Sequence, residues 1–138
     1  HIRSIADVVM IAYSISNKTS FENAGKRWFR QTERENPDAP IFLVGLQSDL
    51  KDMRDVSAAE ADKMAAKHNC TAVECSALSG ENVWNTMNAV IRAALANKEE
   101  VRRGNKAGGG TFMSELFGNS SLERVKSYFT KGKEKHPL

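Results

Sequence analysis

Three apolar runs of strand length, each followed by a stretch with helical spacing, restrict what this chain can fold into more than any other feature. Residues 6–15, ADVVMIAYSI, are almost continuously apolar and β-branched, the pattern of a strand covered on both faces, as in a parallel sheet. Pro40-Ile41-Phe42-Leu43-Val44-Gly45-Leu46 is a second such run, and Thr71-Ala72-Val73-Glu74-Cys75 a shorter third. After the first run, Thr19-Ser20-Phe21-Glu22 reads as a capping box. Phe21, Ala24 and Trp28 then recur at helical spacing until Asn36-Pro37-Asp38 stops the helix. A second box, Ser57-Ala58-Ala59-Glu60, leads into the stripe Ala61, Met64, Ala65. In the third helix Val83, Met87, Val90, Ile91, Ala94 and Leu95 follow the i, i+4, i+7, i+8 rule. The order is β-α-β-α-β-α, and right-handed crossovers make the expected fold α/β, three parallel strands with flanking helices.

The length of 138 residues needs only one core, and no run approaches the 18 or so apolar residues of a membrane helix. Cys70 and Cys75 are too few for a disulfide scaffold and are not spaced as a metal knuckle, so a reducing, cytoplasmic setting is expected. Nothing at the N-terminus reads as a secretory signal. His1, His68 and His136 have no ligand-spaced partners and are expected at the surface, with Trp28 and Trp84 packed or half-buried on their helices. Residues 1–97 hold 11 Lys/Arg against 12 Asp/Glu, and residues 98–138 hold 9 against 5. The basic character belongs to the tail, which argues against nucleic-acid binding by the main domain.

Ligands of open parallel sheets sit beyond the carboxyl ends of the strands. The second strand runs out into Leu46-Gln47-Ser48-Asp49-Leu50 and the third into Cys75-Ser76-Ala77-Leu78. In position and order these resemble the two base-recognition loops of small GTPases of the Ras superfamily, the Asn/Thr-Lys-x-Asp and Ser-Ala-Lys/Leu loops. Ser20-Phe21-Glu22-Asn23, Trp28, Pro40 to Gly45 and Val73 to Leu78 are similar to the Rho branch in particular, although the loop between Leu50 and Ser57 has no room for the extra helix typical of Rho proteins. The resemblance spans residues 6–95 and implies a partial P-loop NTPase-type, Ras-like sheet.

What the resemblance implies for chemistry is specific. The ligand is GTP or GDP, with Gln47, Asp49, Leu50, Ser76, Ala77 and Leu78 around the base. Asp49 would accept from the adjacent N1–H and N2 amino donors of guanine as a charge-assisted pair. Adenine presents a lone pair there, and leaving a site carboxylate unpaired can discriminate by roughly 10⁴-fold or more. The Ala77 amide would donate to guanine O6, with Ser76 holding the loop. Leu46 and Gln47 stand where the family has Asn/Thr and Lys, which weakens the expected base contact. No G-x-x-x-x-G-K-[ST] motif is present: Gly25-Lys26 precedes Arg27 and Gly132-Lys133 precedes Glu134. No Asp-x-x-Gly precedes residue 6 to hold the Mg²⁺ of an intact family member.

The chain opens on His1, and the family's phosphate elements precede the strand that starts here at Ala6. The expected organisation is residues 1–103 as the C-terminal half of a Ras-like domain, residues 104–110 as a Gly-rich linker, and residues 111–138 as a basic amphipathic or disordered tail. Such residues cannot hydrolyse GTP by themselves. The family role is a GTP/GDP switch in signalling with protein regulators and effectors as partners. The alternative is a nucleotide-free interaction module derived from the same fold. In the tail, Phe112, Met113, Leu116 and Phe117 form one apolar patch, and Leu122, Val125, Tyr128 and Phe129 another among Lys and Arg. Contact of this basic stretch with an anionic membrane surface is a further expectation, though the chain ends Lys135-His136-Pro137-Leu138 and has no prenylation cysteine there.

Overall fold

The computed structural model describes residues 6–104. Strands β1 (Val9–Ser14), β2 (Ile41–Leu46) and β3 (Thr71–Glu74) form one parallel sheet in that spatial order. Val9 lies opposite Ile41, and Phe42 opposite Thr71. Parallel neighbours need long crossovers. Between β1 and β2 runs a continuous helical rod: α1 (Lys18–Asn23), a π-helical turn (Ala24–Trp28) and α2 (Phe29–Glu35). A single 3₁₀ turn (Lys51–Met53) and α3 (Ala58–Lys67) join β2 to β3, and α4 (Val83–Arg102) follows β3. The expected three-stranded parallel α/β arrangement is the one observed. The linker and tail expected at 104–110 and 111–138 lie, Gly104 apart, outside the described residues.

The two sheet faces build separate cores. On one, Ile11, Tyr13, Ile41 and Leu43 pack with Phe21, Ala24, Phe29 and Ala61 from the crossover helices. On the other, Phe42, Val44 and Val73 pack against Ala89, Val90 and Ala93 of α4. β2 contributes to both because it is the central strand, and its first five residues are buried.

Five expectations need correction. The first helix is capped by Asn17, whose side chain accepts from the Ser20 amide at 3.0 Å, while Glu22 pairs with Lys26 along the helix. The expected Thr19–Glu22 capping box does not form. The π-helical turn adds a residue to the helix phase, so the buried series is Phe21, Ala24, Phe29, Thr32. Trp28, expected packed or half-buried, is 41% exposed and takes no part in the core. Along β1 burial alternates: Ile11 and Tyr13 are buried whereas Met10 and Ala12 are exposed. The run reads as a two-sided buried strand, but α4 covers β2 and β3 and leaves this face of β1 bare. In α4 the buried side consists of Thr86, Ala89, Val90, Ala93 and Asn97, while Trp84, Met87, Ile91 and Leu95 are exposed. Small residues let the helix approach the sheet closely, which larger side chains at 89 and 93 would prevent. Finally, His68 is not a surface residue: its ring stacks on Phe29 at 4.0 Å and its Nδ1 meets Glu33 at 2.8 Å. The Ser57–Glu60 box forms as read, with hydrogen bonds running both ways.

Candidate functional site

The two loops singled out in the sequence leave the carboxyl ends of β2 and β3, which are neighbours in the sheet. Strand pairing continues past the ends and brings them together. The Cys75 amide donates to Gly45 O at 2.9 Å, and the Ser48 amide to Cys75 O at 3.1 Å. Gln47 then turns with φ of 60°, a left-handed conformation uncommon for a residue with a side chain. The Ser14 hydroxyl donates to Gln47 Oε1 at 2.6 Å, tying the turn to the end of β1. Leu50 N–H closes it onto Gln47 O at 2.9 Å.

This turn aims Asp49 at the other loop. The Ser76 hydroxyl, fully buried, donates to Asp49 Oδ1 at 2.5 Å. Ser76 Oγ also accepts from the Ser79 amide at 3.1 Å, so one hydroxyl organises the second loop and orients the carboxylate of the first. The Ser76 amide donates to Glu81 O and the Gly80 amide to Ser76 O, both at 2.9 Å. By contrast the Ala77 and Leu78 amides donate to no acceptor among the described residues, and both residues are exposed. Asp49 is partly buried, so one of its oxygens is held by the protein while the group still reaches solvent. The arrangement is an anchored acceptor beside a free backbone donor.

Residues that the sequence did not single out support it. Arg54 donates two hydrogen bonds to Glu74, at 2.7 and 2.8 Å, and a third to Val56 O at 3.0 Å. The segment after the first loop is thereby bound to the strand that leads into the second. The Glu74 carboxylate holds the Arg54 guanidinium even more firmly protonated than usual. Asn82, at φ of 58°, donates to Glu74 O at 3.2 Å. Neither contact has a local sequence signal: Arg54 meets Glu74, 20 residues on, through the crossover, and Asn82 reaches back to it across the loop that follows β3. Cys75 is packed, and burial raises its thiol above the ordinary range; Cys70 is pushed up to about 12 for the same reason. Neither is a nucleophile at neutral pH.

Sequence comparison agrees with the geometry. The model of the Ras family matches residues 2–96. The chain belongs to the Ras family. Similar proteins include the GTP-binding protein RHO2 of Saccharomyces cerevisiae, 36% identical over 107 residues, covering 70% of this chain and 56% of that protein. The GTP-binding protein RAD of Rattus norvegicus is 29% identical over 148 residues, covering all of this chain and 48% of its own. The GTP-binding protein GEM of Homo sapiens is 33% identical over 100 residues, covering 72% of this chain and 34% of its own. The chain thus spans about half, or less, of the length of these relatives, and Rho-named proteins stand among them beside RAD and GEM.

Among the described residues no group of His, Cys, Asp or Glu is placed to hold a metal ion, and no helix is long and apolar enough to cross a membrane.

Proposed function

We propose that this chain supplies the guanine-recognising part of a small GTPase, the switch whose GTP- and GDP-bound states engage different regulators and effectors. The observation that supports this reading is the hydrogen bond from Ser76 to Asp49 beside the Ala77 amide, which has no acceptor among the described residues. Guanine presents two adjacent donors and, next to them, the O6 acceptor. A carboxylate fixed by Ser76 can accept from both donors, and a main-chain amide can meet O6 without depending on any side chain. Gln47 and Leu50 frame the carboxylate, and exposed Leu78 offers an apolar surface beside the base position. The Gln47 side chain is engaged by Ser14, so it holds the turn and contributes no cation to the base.

The described residues hold the base end alone. They offer no ligand set for Mg²⁺, and the phosphate chemistry of the family is assigned to none of them. A module without nucleotide contact would have no use for a carboxylate held beside free amides, and nothing in the geometry favours it.

Binding is expected to be weak, so chemical-shift mapping suits it. Titration with GMP should move the Asp49, Ala77 and Leu78 amides, and AMP should leave them in place. In Asp49→Asn, an amide replaces one acceptor oxygen with a donor. Preference should then pass from guanine to xanthine, whose C2 carries a carbonyl acceptor, with Ser76 still present to hold the side chain. Equal responses to GMP and AMP in the unsubstituted chain would overturn the reading.

A further inference from the structure

The turn that presents Asp49 is gripped on both flanks. On the β3 side Ser76 donates to Asp49 Oδ1; on the β1 side the grip is Ser14. Strand register places Ser14 opposite Leu46, the residue before the turn, and the Ile15 amide donates to Leu46 O at 3.2 Å. The Ser14 hydroxyl therefore stands beside Gln47, and each of its hydrogen bonds can be assigned. A hydroxyl carries one proton and two lone pairs. The proton goes to Gln47 Oε1 at 2.6 Å. Ser14 Oγ then accepts from the Ser16 amide at 3.3 Å and from the Ser16 hydroxyl at 3.0 Å, which fills both lone pairs. Ser14 is itself seated: its amide donates to Ser20 Oγ at 3.0 Å, Ser20 Oγ donates to Asn17 O at 2.7 Å, and Asn17 caps α1. A run of short polar side chains thus reaches from the start of α1 to the first base loop.

Gln47 needs that support. Its φ of 60° lies in the left-handed region, where a Cβ crowds the following carbonyl. The bond from Leu50 N–H to Gln47 O at 2.9 Å closes the turn through the backbone alone. Gln47 is exposed, so no packing against a core selects this conformation. Among the described residues, Ser14 supplies the side-chain hydrogen bond that favours it. We propose that Ser14 is a positioning residue for base binding: it holds Gln47 left-handed and so keeps Asp49, two residues on, where the two guanine donors would meet it. This role rests on Asp49 being the guanine acceptor. Without the Ser14 bond the exposed turn samples other conformations, and affinity falls with the fraction of chains in which it is correctly formed.

Titration of the full 138-residue chain with GMP, followed through the Asp49, Ala77 and Leu78 amide shifts, tests this. Ser14→Ala should weaken GMP binding on the order of fivefold, the effect of one lost hydrogen bond. Ser14→Thr keeps the hydroxyl and should bind as the unsubstituted chain does. Gln47→Met breaks the same bond from the exposed side without touching a buried group. It should match Ser14→Ala, and it reads the bond even if Ser14→Ala fails to fold. In Gln47→Gly the glycine adopts a positive φ unaided, so adding Ser14→Ala should change GMP affinity no further. A merely structural role for Ser14 would persist in that background. Unchanged affinity in Ser14→Ala or in Gln47→Met overturns the proposal. So does a Ser14→Thr chain as weak as Ser14→Ala, or an equal loss from Ser14→Ala with and without Gln47→Gly. Each of these outcomes leaves the guanine reading standing. That reading fails separately, and the role of Ser14 with it, when AMP moves the same amides as GMP in the unsubstituted chain.

Discussion

At Gly45 the close approach of Tyr13 and Glu74 leaves no room for a side chain. A Cβ there would lie 2.8 Å from the Tyr13 hydroxyl and 3.0 Å from Glu74 Cγ. Tyr13 is buried, its hydroxyl has no partner among the described residues, and burial together with Glu74 raises its pKa far beyond the usual phenol. It has nowhere to retreat. Gly45→Ala should therefore destabilise by about 2 kcal/mol, as overpacked cores do, measured as a lower urea midpoint. Since Glu74 is the other group displaced, the Arg54 contact should loosen with it. Arg54→Met removes that contact directly and leaves the Glu74 carboxylate, 25% exposed, without its partner. A loss of about 1–2 kcal/mol is expected, less than for a fully buried pair because water still reaches both groups. The same urea titration reads it. Asp49, Ser76 and Ala77 were legible because their loops sit at strand ends in an order the sequence displays. Gly45 and Arg54 were not, since their importance arises only where β1, β2 and β3 lie side by side.

Helices and strands were legible to different degrees for physical reasons. The positions of the three strands and the Ser57 cap are local patterns and appear as read, while burial of both faces of β1 does not. Phase within a helix is not local. The π-helical turn exchanges Trp28 for Phe29 in the core, and α4 presents alanines to the sheet although Met87, Ile91 and Leu95 make the stronger apolar stripe. An apolar stripe reports that a helix has a surface to cover, without saying which neighbour covers it. The N-terminus of α3 offers a test at this scale. Glu60 accepts from the Ser57 amide at 2.9 Å and from Lys18, joining α3 to the start of α1. Lys18 first and the Ser57 bonds next hold the Glu60 carboxyl down to about 2, against 4.5 for a free one. A depressed folded-state value means that the contribution is complete above the unfolded pKa and fades as pH falls toward the folded one. Stability should thus drop as the solution is taken from about pH 4.5 to about pH 2. Glu60→Gln should flatten that part of the curve, as followed by thermal melts across the range.

For the whole molecule the open question is the rim of the sheet. β1 pairs with β2 alone among the described strands, and parallel pairing uses alternate residues. Val9 N–H donates to Pro40 O at 2.9 Å and Ile15 N–H to Leu46 O at 3.2 Å; the odd-numbered amides therefore face β2, and those of Met10 and Ala12 face outward. A cleft of about 370 Å³ runs along this rim on the side of the crossover helix, lined by Trp28, Gln31 and Glu35. Unpaired rims recruit strands, and β1 has neither the charge nor the proline that blunts one. Residue-resolved hydrogen exchange should show a sawtooth in β1, with Ile11 and Tyr13 slow and Met10 and Ala12 fast. A uniformly slow β1 would mean that an added strand lies along the rim. If the sawtooth holds, the rim of the sheet remains available to any strand joined to Val9–Ser14.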